Sequence, residues 1–198
     1  MRTIIPIIAL CMLVGFSSCG KKGNEQTTQK QDKKTEATQQ TQAKTFFTVS
    51  EVDKSPSKGV LPNFAWDENG KKSNIKDFDG KVIFINLWAT WCGPCKKEIP
   101  DLMAISNELK DKNFKMLGIQ VLQQPNAQSL EDYLKTNPIS YLILDGNQEL
   151  FNALETAADV KIEGIPFTII VDKSGRIVEK IIGARSKEEY LTKINKYL

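Results

Sequence analysis

Two cysteines separated by a glycine and a proline, Cys92-Gly93-Pro94-Cys95, are the residues of this sequence whose type and spacing most directly promise chemistry. Such a pair has three uses: two of the four ligands of a zinc ion, a structural disulfide, or a dithiol that cycles with its disulfide. The 198-residue chain has only two other cysteines, Cys11 and Cys19, both near the N-terminus, and no histidine. A zinc site would therefore need carboxylates or a second molecule, and no metal site is expected. A purely structural bridge is disfavoured too, because so short a loop constrains the unfolded chain little. Redox exchange remains. The missing histidine also excludes imidazole acid–base catalysis and haem attachment through CxxCH.

The elements that must position the pair can be read on either side of it. Residues 82–88 (Val-Ile-Phe-Ile-Asn-Leu-Trp) are apolar on both faces apart from Asn86, the pattern of a central strand in a parallel sheet. A helix is expected from Gly93 to about Lys110, bent at Pro100. The cysteines thus fall where a buried strand turns into a helix. There the free N–H groups and the helix dipole favour a thiolate over a thiol. Cys92, the more exposed, is expected to attack a substrate disulfide; Cys95, one turn further in, then resolves the mixed disulfide. Pro94 suits the first turn, where a missing N–H costs nothing. Trp88 and Trp91 read first as packing residues, Trp91 also shielding the pair and shaping the surface a substrate meets.

The segment Asn86-Leu87-Trp88-Ala89-Thr90-Trp91-Cys92-Gly93-Pro94-Cys95-Lys96-Lys97-Glu98-Ile99-Pro100 closely resembles the active-site segment of the TlpA/ResA branch of thioredoxin-like proteins, of the AhpC/TSA–Redoxin type. The resemblance extends more loosely over about residues 60–198, through Asp79-Gly80-Lys81 and Gly164-Ile165-Pro166. It implies that Pro166 is a cis-proline beside the cysteines, with the Ile165 backbone exposed for pairing with an extended substrate. It also implies a proton-transfer role for Glu98, three residues after Cys95 on one helical face, with Asn86 where thioredoxin has a buried aspartate. The plainer reading of Glu98 is a solvated partner of Lys96 or Lys97. Two departures bear on the substrate: residues 151–161 read as a longer link than usual, and Phe167 stands where threonine is frequent.

Further along, Phe64 to Trp66 and Lys72 to Ile75 flank a turn at Asp67-Glu68-Asn69-Gly70 and read as a hairpin. Residues 46–60 are a lead-in with no assigned element. Strands are expected at 114–122, 141–144, 167–171 and 177–182, and helices at 129–135, 148–158 and 186–197. The expected fold class is α/β: a thioredoxin-like sandwich whose mixed central sheet is flanked by helices, with an N-terminal β-hairpin and a central insertion.

The N-terminus reads as an address. Arg2 precedes an apolar stretch from Ile4 to Phe16, shorter than the roughly 20 residues of a membrane-spanning helix. Phe16-Ser17-Ser18-Cys19 resembles a bacterial lipobox, with phenylalanine where an aliphatic residue is usual. This implies a signal peptide over 1–18 and diacylglycerol on Cys19. Residues 19–45, rich in Lys, Gln and Thr, read as a disordered tether to a domain spanning 46–198. A net charge of +3, with lysines scattered among acids, gives no reason to expect nucleic acid as a partner.

The expected protein is an extracytoplasmic, lipid-anchored thiol–disulfide oxidoreductase, its domain in the periplasm, reducing protein disulfides through Cys92 and Cys95 with no cofactor. The resemblance implies a membrane thiol donor of the DsbD/CcdA kind and makes disulfides of apocytochrome c candidate substrates. The alternatives are a disulfide oxidant or isomerase, and a non-enzymatic tethered binding or chaperone-like module.

Overall fold

The computed structural model describes residues 45–198. The expected signal peptide over 1–18, the expected lipidation site Cys19 and all but the last residue of the expected tether lie outside the described residues. Eight strands follow in chain order: β1 (Phe47–Val52), β2 (Phe64–Glu68), β3 (Lys71–Asn74), β4 (Val82–Trp88), β5 (Phe114–Gln120), β6 (Leu142–Asp145), β7 (Phe167–Val171) and β8 (Ile177–Ile182). The helices are α1 (Gly93–Glu108), α2 (Leu130–Thr136), α3 (Gln148–Ala158) and α4 (Lys187–Ile194). The strands form one sheet in the order β3-β2-β1-β6-β5-β4-β7-β8. It is mixed: β4 runs parallel to β5 and antiparallel to β7.

Alternation along β4 decides where the helices go. Val82, Phe84 and Trp88 point into a core shared with Ile99, Leu102 and Ile105 of α1, Leu130 and Tyr133 of α2, and Tyr190 and Ile194 of α4. Ile83, Ile85 and Leu87 point the other way, against Leu150 and Leu154 of α3 and the strand residues Phe47, Phe64 and Trp66. Two apolar faces require two covering layers, which is why β4 has no polar face and why every residue of it is buried. Asn86 is the polar exception in that run, and its partners belong to the site.

The lead-in 46–60 contains a strand. In β1, Phe47 and Val49 are buried while Thr48 and Ser50 are exposed, a half-buried alternation too short to stand out from the polar stretch before it. β1 joins the expected hairpin to the rest of the sheet, pairing antiparallel with β2 and parallel with β6. The hairpin turns at Asn69 and Gly70, both left-handed (φ 58° and 82°), with the Gly70 N–H donating to Asp67 Oδ1. Residues 151–161 are the later turns of the expected helix α3, its left-handed cap at Asp159 and two residues beyond. β5 stops two residues short of the expected end, because Leu122 takes a left-handed conformation (φ 52°) that no strand continues through.

Candidate active site

β4 delivers the chain to the site and α1 carries it away. Ala89, Thr90 and Trp91 bridge the two, and Cys92 is the residue that caps α1. Its Sγ accepts the Cys95 N–H at 3.2 Å, so a sulfur occupies the position that a serine or aspartate oxygen fills in most helices. Pro94 lies in the first turn and Pro100 lies inside the helix, where it withholds an N–H from the Lys96 carbonyl. Cys92 and Cys95 are bridged, their Cα atoms 5.3 Å apart. Cys92 is the more exposed of the two only narrowly, 4% against 0%. A partner therefore reaches the outer sulfur through a small window.

The rim of that window comes from three segments distant in sequence. The Ile165–Pro166 peptide is cis, and the Ile165 carbonyl oxygen lies 3.7 Å from Cys92 Sγ. Trp91 is 38% exposed, and its Nε1–H donates to the Leu122 carbonyl at 2.9 Å. Leu122 is itself 38% exposed, so its side chain and that of Trp91 present apolar surface to solvent. Clefts of about 580 and 680 Å³ flank Trp91 and share Gln123 and Gln124. Leu122 and the glutamines after it were missed from sequence. Nothing in a run of glutamines signals a site, and the left-handed turn that brings them beside Trp91 comes at a leucine.

Glu98 is not a solvated partner of Lys96 or Lys97. Those lysines are exposed, whereas Glu98 is 3% exposed in the core side of α1. Its Oε1 accepts from Asn86 Nδ2 at 2.8 Å and its Oε2 accepts from the Tyr190 hydroxyl at 2.8 Å. Asn86 also donates to Thr168 Oγ1 at 3.2 Å. Burial holds the Glu98 carboxyl above its ordinary value of 4.5, against the lowering effects of Tyr190, Asn86 and Arg185. The side chain thus binds its proton more tightly folded than unfolded. Its contribution to stability is full below pH 4.5 and is lost as pH rises through the raised value. Glu98→Gln should therefore gain stability relative to the parent as pH goes from 4 to 8, read from urea midpoints at each pH. A constant difference across that range would contradict a raised carboxyl.

Of the three tryptophans, Trp66 and Trp88 are fully buried, and Trp91, next to Cys92 in the chain, is the exposed one. An indole beside a disulfide transfers its excited electron to it and loses emission. Reduction should raise the tryptophan fluorescence, and Trp91→Phe should remove most of that change while leaving the emission of the other two.

Among the described residues no three His, Cys, Asp or Glu side chains gather as a metal site, and no helix is long and apolar enough to cross a membrane. What the arrangement can do is exchange disulfides: a sulfur at a helix start, a second sulfur behind it, a backbone carbonyl beside the outer one, and a buried carboxyl on the same helix.

Known proteins are similar in sequence and fold. The Redoxin family matches residues 56–198. The thiol-disulfide oxidoreductase ResA of Bacillus cereus is 31% identical over 138 residues, covering 67% of this chain and 75% of that protein. The crystal structure of a thiol:disulfide interchange protein of the thioredoxin family from Chlorobium tepidum has a TM-score of 0.61 at 30% identity, covering 72% of this chain and 98% of the other. The thioredoxin domain of a thiol-disulfide oxidoreductase from Bacteroides vulgatus has a TM-score of 0.56 at 25% identity, over 72% and 99%.

Proposed function

This chain belongs to the Redoxin family, as a thioredoxin-like thiol–disulfide oxidoreductase of the TlpA/ResA kind, and from that premise we propose that it reduces protein disulfides from a lipid anchor outside the cytoplasm. The observation that carries the chemistry is the reactive pair at the start of α1, with Cys92 Sγ receiving the Cys95 N–H. A hydrogen bond and a helix dipole that favour negative sulfur make Cys92 the nucleophile and the better leaving group. Cys92 attacks one sulfur of the substrate bridge; that bridge breaks, and the electron pair leaves on the other substrate sulfur, which takes a proton. Glu98 accepts the Cys95 proton. The Cys95 thiolate attacks Cys92, the mixed disulfide breaks, and the second substrate sulfur leaves reduced. Substrate has gained two electrons, and the enzyme disulfide has been formed.

Substrate binding is assigned to Trp91, Ile165 and Pro166. An extended polypeptide pairs with the Ile165 backbone, and the exposed Trp91 and Leu122 cover its apolar side chains. The direction is reduction because Gly-Pro separates the cysteines as in thioredoxin, whose potential is about −270 mV against about −120 mV for the oxidant DsbA. Apocytochrome c is one candidate substrate, and a DsbD/CcdA-type membrane protein would return electrons. Residues 1–18 serve as the signal peptide, Cys19 as the lipidated residue, and 19–45 as the tether that keeps the 46–198 domain near a membrane in the periplasm.

Equilibrating the purified full chain with glutathione redox buffers tests the direction. A midpoint below about −200 mV supports a reductant, and one above about −150 mV replaces it with an oxidant. Labelling cells with a tagged fatty acid tests the anchor, and label persisting in Cys19→Ala would remove it.

A further inference from the structure

Polar groups are few in the interior, and they are not scattered. Of the five buried polar or charged side chains among the described residues, tyrosines aside, three are Asn86, Glu98 and Thr168, and these share hydrogen bonds with one another. Tyr190, 0% exposed, closes the set from the far end of the chain. A buried carboxyl that served only packing would be cheaper as an apolar side chain. This one is instead held at both oxygens from two different elements, β4 and α4.

We propose that Tyr190 is a positioning residue for the second half of the exchange: its hydroxyl fixes the Glu98 carboxylate so that it takes the Cys95 proton. The proposal rests on the reading of Glu98 as that base. α4 is placed for the task. It starts at Ser186 with a reciprocal cap in which Ser186 and Glu189 satisfy each other's backbone N–H groups. Lys187 pairs with Glu108 at the end of α1 at 2.8 Å, and the Gly183 N–H donates to the Pro166 carbonyl at 2.8 Å. The Tyr190 ring meets Phe84 edge-on, centroids 5.1 Å apart, which fixes where the hydroxyl points. One phenol thus ties the C-terminal helix to the helix that bears the cysteines.

The ionisable groups that interact with Glu98 are consistent with a single base there. Tyr190 faces it from α4 and Arg185 from the segment before that helix, and both favour the carboxylate. Tyr141, just before β6, is kept neutral by burial and by the charge of Glu98. The Tyr190 hydroxyl is held protonated in the same way, so it donates and does not itself take the proton.

Separating the two steps tests this. A disulfide-bridged, fluorophore-quenched peptide is mixed with the reduced full chain, and acid-quenched samples report mixed disulfide and released dithiol from pH 5.5 to 9. In Tyr190→Phe the first step should stay within about twofold of the parent. The acid limb of the second should move up by about one pH unit, hence about tenfold slower at a given pH on that limb. In a Glu98→Gln background, Tyr190→Phe should add no further slowing. Carbon NMR of the Glu98 carboxyl gives an independent reading, with a higher midpoint expected in Tyr190→Phe. An unmoved limb and carboxyl midpoint, or equal slowing of both steps in both backgrounds, would assign Tyr190 to packing alone. A parent that reduces no peptide at any pH would instead remove the proposed function. A Glu98→Gln protein with parental second-step rates would remove the base, and with it this inference.

Discussion

Cys95→Ala protein should stop turning over and accumulate covalently joined to the proteins it would have reduced. Without Cys95 the first attack still proceeds, because Cys92 keeps its place at the helix start, but no neighbouring thiolate is left to release the adduct. Turnover should fall by more than about a thousandfold, and non-reducing gels should show adducts that dithiothreitol dissolves. Cys92→Ser should fall as far and form no adduct, since the inner sulfur is 0% exposed. Adducts through Cys95 in Cys92→Ser would reverse the roles of the pair. Mass spectrometry of the trapped partners names substrate and electron donor in one experiment, and absence of any cytochrome polypeptide would remove that candidate.

Phe84→Ala should cost about 3–5 kcal/mol, a large share of the 5–15 kcal/mol typical of a domain. Phe84 is 0% exposed in the middle of β4, between β5 and β7, so truncating it leaves a cavity in the packed core. A loss of this size lowers the melting temperature by roughly 6–20 °C in a domain of this length. The same change removes the edge-on partner of Tyr190. Phe84→Leu, which keeps most of the volume, should cost less than half as much. Equal melting temperatures for the parent and Phe84→Ala would mean that the two-sided burial of β4 contributes far less than its area implies.

Much of this was legible in the sequence, for identifiable reasons. β4 could be read because burial on both faces leaves an apolar run with one polar break. α3, β7 and β8 occupy the residues expected of them, since each is bounded by turn or cap residues such as Asn147 and Asp172 to Gly175. β1 was hidden because two buried side chains in six residues resemble a polar loop. The partners of Glu98 were hidden for a different reason. Tyr190 is separated from it by 92 residues, and on an amphipathic helix a tyrosine on the apolar side reads as core. Its ring is core, and its oxygen is not. Spacing along a helix placed Glu98 beside Cys95, but only the fold supplies what lies across from it. The left-handed Leu122 belongs to the same class, since a leucine carries no mark of the turn it makes.

The sulfur that caps α1 has a consequence for the choice of inactive controls. Serine is among the favoured residues at that position, and its oxygen can receive the Cys95 amide in place of sulfur. Alanine offers no acceptor and should cost about 1 kcal/mol relative to serine. The two silent variants of Cys92 are therefore unequal as scaffolds. Only the serine form keeps the helix start intact, and any defect found in the alanine form mixes lost reactivity with a frayed first turn.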